Sequence, residues 1–373
     1  MYYVADRREH RLHKEIISDK QGICLVIMFI LGSTLLLGTG GGIAKKDGWL
    51  AIIIGIVYAA PAIYIYSRLL SKFHGHDLFD ILQLVFGKFL GKCISVLYIW
   101  FAFHLGALVE RNFTDFTETA VYPDTPVVFP LIFFVLLFIW CVKLGIEVLG
   151  RWSEFYIIIV LLLILTVTII LSLPLLNFNN LRPFLYDGIK PILTSAFLGF
   201  SFPFAETVVF MMVFSSLKTK NSSYKVYFKG LITGGIIILL VSLRNILILG
   251  ADSISRDYFP SYVAVSTIKI GDFIQRLEIA VSTVLLLNVF VKVSICLLAV
   301  CKGLEKVFEL DDYRFLVTPM ALLMAAFSII VYPNIMESVR WAFKIWPYYS
   351  FFFQAILPLI IFIVAEIKFR QAM

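Results

Sequence analysis

Residues 22–43 read GICLVIMFILGSTLLLGTGGGI, an apolar run interrupted at its middle by Gly32-Ser33-Thr34 and towards its end by Gly38, Gly40, Gly41 and Gly42. A helix needs roughly 20 apolar residues to cross the hydrocarbon of a bilayer. Glycine inside a helix costs about 1 kcal/mol relative to alanine. The run is therefore expected to be a membrane span that opens halfway across. Residues 190–214 carry a matching signal, Gly199-Phe200-Ser201-Phe202-Pro203 followed by Glu206. Proline removes an amide donor and clashes with the preceding turn, so this span is expected to break as well. For either segment alone, close helix contact through small residues explains the glycines equally well; their paired positions favour interruption.

The same length test, carried outward from these two segments, places spans near 22–43, 49–70, 93–112, 127–144, 152–174, 190–214, 227–250, 275–301, 315–333 and 347–367. Spans one and six then head two halves of five. Interrupted helices at corresponding positions of two halves point to an inverted-repeat transporter with its site at the bilayer midplane. Freed amides at such breaks can hold an anionic group and freed carbonyls a cation.

Composition agrees. Of 373 residues, 60% are hydrophobic and 15% charged, too little polar surface for a soluble domain of this size. The net charge of +7 forms no dense basic stripe, so nucleic acid is not an expected partner. Cys24, Cys93, Cys141, Cys296 and Cys301 are scattered without a CxxC pair or a His/Cys cluster, and read as packing residues rather than disulfides or metal ligands. Gly38–Gly42 is not a phosphate loop, because no Gly-Lys-Ser/Thr follows. There is no nucleophile elbow, no HExxH and no catalytic carboxylate pair, so neither an enzyme nor a cofactor is expected.

The chain is read as a cytoplasmic tail (1–20), one membrane domain (21–368) and a short cytoplasmic tail (369–373), with no cleaved signal peptide. Lys and Arg number 20 on the side of the N-terminus and 10 on the other, which places both termini in the cytoplasm. Residues 77–92 suit a cytoplasmic interfacial helix, residues 251–273 an outer lid, and residues 334–344 a second surface segment.

Ionisable residues at depth usually face a cavity or a partner. Lys292, midway through span eight, could meet a substrate carboxylate, take the place of a coupling cation, or form a structural pair with Glu206. Glu206 could hold the unwound backbone, pair with a cation or carry a proton. Arg244 is expected to snorkel to the interface. Glu110 and Arg111 are expected to face water, and His104 to be a packing residue.

Several short motifs carry a resemblance to a known family: Gln21-Gly22 and Leu31-Gly32 in span one, Asp47-Gly48-Trp49, Asn179-Asn180-Leu181-Arg182-Pro183, Glu206, Gly250, Arg276-Leu277-Glu278 and Lys302-Gly303-Leu304. In this order and spacing the chain resembles the spore germination permeases, the B subunits of Ger-type nutrient germinant receptors of endospore-forming bacteria, in the amino acid/polyamine/organocation superfamily. The resemblance implies an all-α, ten-helix LeuT-like 5+5 fold in the spore inner membrane, assembled with an A subunit and a lipoprotein C subunit. It also implies a pocket for a small germinant, an amino acid or related nutrient, at Gly32, Ser33, Thr34, Phe101, Leu105, Leu198, Gly199, Lys292 and Cys296. Three positions depart from the family pattern: Thr39 where proline is common, Ala205 where glycine often precedes the glutamate, and Lys292 where a neutral residue is usual. Lys292 points to a carboxylate-bearing germinant or an internal ion pair.

Three functions remain open on sequence: a nutrient receptor signalling to partner subunits, a secondary amino acid transporter, and a channel-forming or structural subunit with a vestigial pocket.

Overall fold

The computed structural model describes residues 15–32, 34–38, 42–268 and 276–370. The tail 1–14, Ser33, Thr39, Gly40, Gly41, the 269–275 part of the lid connection and residues 371–373 lie outside the described residues. Every element among the described residues is helical.

Helix α1 (Asp19–Leu31) starts from a capping box, Ser18 accepting from Gln21 N while the Gln21 side chain accepts from Ser18 N. It ends at Gly32, whose φ of 11° and ψ of −124° are not helical, and the chain resumes as a short turn, Thr34–Leu37. Helices α2 (Gly48–Lys72), α3 (Leu78–Phe86) and α4 (Lys88–Phe116) follow. The expected surface helix 77–92 is thus two elements. Gly87, at φ 83°, ends α3, and Lys88 opens the long span. Helix α3 buries its apolar face, Leu78, Phe79, Ile81, Leu82 and Val85, and leaves Leu84 on the opposite side exposed.

The chain continues through α5 (Val128–Leu144), α6 (Ile146–Ile164) and α7 (Ile189–Gly199). After α7 the turn Phe200–Phe204 is broken at Phe202 (φ −143°, ψ 107°), and Ala205–Met212 continues as a tight 3-10 helix. Then come α8 (Ser222–Arg256), kinked at Gly250, α9 (Pro260–Ser266), α10 (Glu278–Phe308), α11 (Arg314–Ile330) and α12 (Ile335–Lys344), bent 102° from α11. A last span, Trp346–Lys368, closes the described chain.

Seven of these helices are long and apolar enough to cross a membrane, eight if the bent α11–α12 pair is one span. Each of the ten expected spans contains helix. Three fall short of the length test alone: the first because it breaks after 13 residues, the fourth because α5 has only 17, and the ninth because α11, also 17 residues long, passes only together with α12.

The core is built around α10 and α1. A helix that is apolar all round belongs inside a bundle, and 94% of the membrane-length window of α10 is buried. Helix α8 presses on α1 through Gly230, where a Cβ would stand 2.4 Å from Val26 Cγ1. Only glycine permits that approach. Apolar side chains such as Phe133, Trp140, Ile158 and Leu162 face outward, as a lipid-facing surface requires.

Polar ties close both ends. At one end Lys306 meets Asp80 at 2.6 Å, and Lys88 and Lys92 converge on Glu309 at 2.6 and 2.8 Å. At the other, the two motifs 47–49 and 179–183 meet. Asp47 Oδ1 accepts from Leu185 N, Lys46 Nζ donates to Arg182 O, and Asn180 Nδ2 donates to Leu247 O at 2.9 Å. The lid segment α9 sits at this second end, where Tyr262 Oη donates to Ala120 O.

Candidate functional site

The two breaks face each other across one ion pair. Lys292, in the middle of α10, is completely buried and places Nζ 2.5 Å from Glu206 Oε2 in the 3-10 segment after the Phe202 break. The same ammonium stands 5.0 Å from the ring centroids of Phe29 and Phe202, one aromatic face from each broken span. Such faces attract a desolvated cation. Gly32 completes the contact: a Cβ there would lie 2.6 Å from Lys292 Cδ and 2.9 Å from Phe29 O. The break in span one therefore makes room for the lysine stem, and the break in span six delivers the carboxylate.

Loosened backbone at the second break is already satisfied. Gln354 Nε2 donates to Ser201 O at 3.0 Å, Tyr66 Oη donates to Ala205 O, and Tyr227 Oη donates to Thr207 O. The single Tyr66 hydroxyl hydrogen is shared between the carbonyls of Ala205 and Gln354, the Gln354 contact being the shorter. The carbonyls of Ser201, Ala205 and Thr207 are thus met by side chains from three other helices.

One cavity adjoins the pair at Glu206, and a second lies nearer the lid. The first, of about 30 Å³, is lined by Leu105, Val109, Phe202, Glu206, Trp341 and Trp346. That is space for only one or two waters. The other, of about 140 Å³, lies towards the lid and is lined by Thr34, Gly38, Asn245, Tyr258, Pro260 and Ser261 among others. It has room for on the order of ten waters. Thr34 Oγ1 and Asn245 Oδ1, both buried, have no hydrogen-bond partner among the described residues and stand in its wall.

The residues singled out in the sequence therefore divide. Gly32, Lys292 and Glu206 meet, Thr34 lines the larger cavity, and Leu105 lines the smaller one. Phe101 is a packing residue, stacked on Trp346 and Phe353 at 5.6 and 4.9 Å. Cys296 packs against Gly106. Leu198 and Gly199 are buried in the last turn of α7 and line neither cavity. Ser33 lies outside the described residues.

Three readings of charged and aromatic residues are settled by burial. Arg244 does not snorkel: it is 4% exposed. Glu110, expected in water, is 1% exposed. Four residues after Gly106, it shares the face that packs on α10 and α11. Arg111 points elsewhere, pairing with Asp115 at 2.8 Å and donating to the carbonyls of Ile329 and Tyr332. His104 is a packing residue, ringed by Trp100, Phe327, Trp341, Trp346 and Tyr349.

Phe29, Phe202 and Trp346 were missed as site residues. Phe29 could have been found three positions before Gly32, on the face that meets Lys292, and Phe202 within the quoted break. Trp346, at the start of the last span, carried no local signal.

Comparisons with known proteins bear on this arrangement. A family model described as spore germination protein matches residues 16–336. Spore germination protein KB of Bacillus subtilis (strain 168) is 30% identical over 96% of this chain and 97% of its own length. Spore germination protein A2 of the same organism is 24% identical over 94% and 95%. Among solved structures, the nucleobase-cation-symport-1 family transporter MHP1, in a closed conformation with bromovinylhydantoin bound, superposes with a TM-score of 0.65 at 12% identity, covering 88% of this chain and 75% of that one. MhsT in complex with L-phenylalanine gives 0.62 at 15% identity, covering 95% and 100%. The fold is thus the LeuT-like fold of these transporters, and neither they nor the germination proteins are enzymes. With the family model covering most of its length, this integral membrane protein belongs to the spore germination permease family.

Proposed function

We propose that this protein is the nutrient-sensing B subunit of a spore germinant receptor, set in the spore inner membrane with both termini cytoplasmic and working with A and C subunits. The observation that carries this reading is the buried Lys292–Glu206 pair, held between two broken helices. A zwitterionic solute such as an amino acid carries the charges to exchange with both members, its carboxylate taking Lys292 and its ammonium taking Glu206. Such exchange leaves no buried charge unpaired. Thr34 and Asn245 offer polar atoms on the way in. The ligand then favours the state in which the two halves are apart, and partner subunits read that state. Splayed broken helices of one ten-span 5+5 repeat are the moving parts in this account.

The competing reading is a secondary amino acid transporter, favoured by the fold likeness to MHP1 and MhsT with their bound solutes. Proteoliposomes holding the purified chain separate the two. Saturable binding of a labelled amino acid without accumulation is expected. Accumulation would assign transport, and absence of binding would leave the channel or structural role.

A further inference from the structure

Arg244 lies on α8, fewer than two turns before the kink at Gly250. Its Nε and Nη1 are buried and have no hydrogen-bond partner, and no carboxylate pairs with it among the described residues. A guanidinium cannot shed its proton to escape burial. An unmatched buried charge of this kind calls for a compensating ion.

The side chain lines a cavity of about 30 Å³ together with Leu163, Val167, Ser261, Val281 and Leu285. Those walls are apolar except at Arg244 and Ser261. Asn245 Nδ2 donates to Ser261 Oγ at 3.0 Å, so the Ser261 hydroxyl keeps its own hydrogen to donate. The cavity has space for one or two waters, and water by itself carries no charge to offset the arginine. Helix α9, which supplies Ser261, closes over it, with Val265 and Ile268 packed on Val167. Ser261, Leu35 and Val241 also stand in the wall of the larger, lid-side cavity, so the two spaces adjoin.

We propose that the cavity at Arg244 is a binding site for one small monovalent anion, a halide or the carboxylate of a small organic acid, held by the guanidinium and the Ser261 hydroxyl beneath α9. It lies apart from the Lys292–Glu206 pair and goes beyond the sensing role. The bound anion supplies the missing charge only while α9 is seated, so occupancy favours the closed lid.

The test is calorimetry of the full chain in phospholipid nanodiscs at constant ionic strength, with potassium gluconate, too large for the cavity, replaced stepwise by chloride, bromide or acetate. The unfolding midpoint is expected to rise saturably by about 2–5 °C. Chloride and bromide acting without acetate assign a halide, and acetate acting or competing with chloride assigns a carboxylate. Arg244→Gln should abolish the rise and, in gluconate, unfold no earlier than the parent chain. Ser261→Ala, a milder change, should need about tenfold more anion for half the rise. Identical midpoints of the parent chain in all four salts would overturn the site, as would an undiminished rise in Arg244→Gln. No germinant enters the experiment, so its failure leaves the sensing role standing.

Discussion

Lys292 and Glu206 gain little by being near each other unless both are present. Removing one member of a buried pair costs about 3–5 kcal/mol because the survivor is left charged in an apolar place, whereas replacing both by neutral residues of similar shape is nearly neutral. Lys292→Met alone should therefore lower the stability of the purified protein by about that amount. Lys292→Met with Glu206→Gln should recover most of it. Both variants should lose the response to nutrient, measured as germination of spores carrying each. A double variant that responds normally would remove the pair from ligand binding. Asp77, on the far side of the bundle, carries a different prediction. Its carboxylate caps α3 by accepting from Asp80 N at 3.0 Å, and burial, followed by repulsion from Asp80, pushes it up from 3.8 to about 6. The folded chain thus binds this proton more tightly than the unfolded one, and stability falls as pH rises from about 4 to 6. Asp77→Asn keeps the cap. It should raise the unfolding free energy at about pH 7 by up to about 3 kcal/mol, and flatten the decline between pH 4 and 6.

Among the elements, the broken spans were the most legible part of the sequence and the most consequential. Gly32 and Phe202-Pro203 announced their breaks because glycine and proline act on the backbone directly, whatever surrounds them. Gly87, another backbone residue, lies inside an apparently continuous amphipathic run, whose apolar pattern hides the break between α3 and α4. Side-chain fate was harder to see. That Gln354, Tyr66 and Tyr227 take the carbonyls at the second break depends on residues 20 to 153 positions away. Burial of Arg244 and Glu110 could not be read from depth alone, because bundle interior and lipid are equally apolar. The pair Lys292–Glu206 was one of the alternatives weighed, and only the fold brings its members together. Gly32→Ala tests the element directly. The added methyl would meet the Phe29 carbonyl as well as the lysine stem, and backbone cannot step aside as a flexible side chain can. A loss of about 1–3 kcal/mol is expected in chemical unfolding, together with weaker nutrient binding. An unchanged variant would mean that the two breaks are not tightly apposed.

For the molecule as a whole, the proposed topology, resting on the excess of Lys and Arg, turns the end carrying Lys306, Lys88 and Lys92 to the cytoplasm. Tyr186 and Asp312, both exposed, lie at opposite ends. With Cys93, the exposed free thiol, first replaced, a membrane-impermeant maleimide added to intact cells should label Tyr186→Cys and spare Asp312→Cys until the membrane is opened. The reverse pattern would invert the topology.

The cavity beside Glu206 holds no more than a water or two. In the proposed sensing role a nutrient molecule docks there only during excursions to a wider form, so the concentration that triggers a response is the intrinsic dissociation constant divided by the fraction of time spent wide. Tightness of the resting bundle then acts as a threshold: substitutions that loosen it should make spores wake to traces of food, and stiffening ones should let them sleep through a feast.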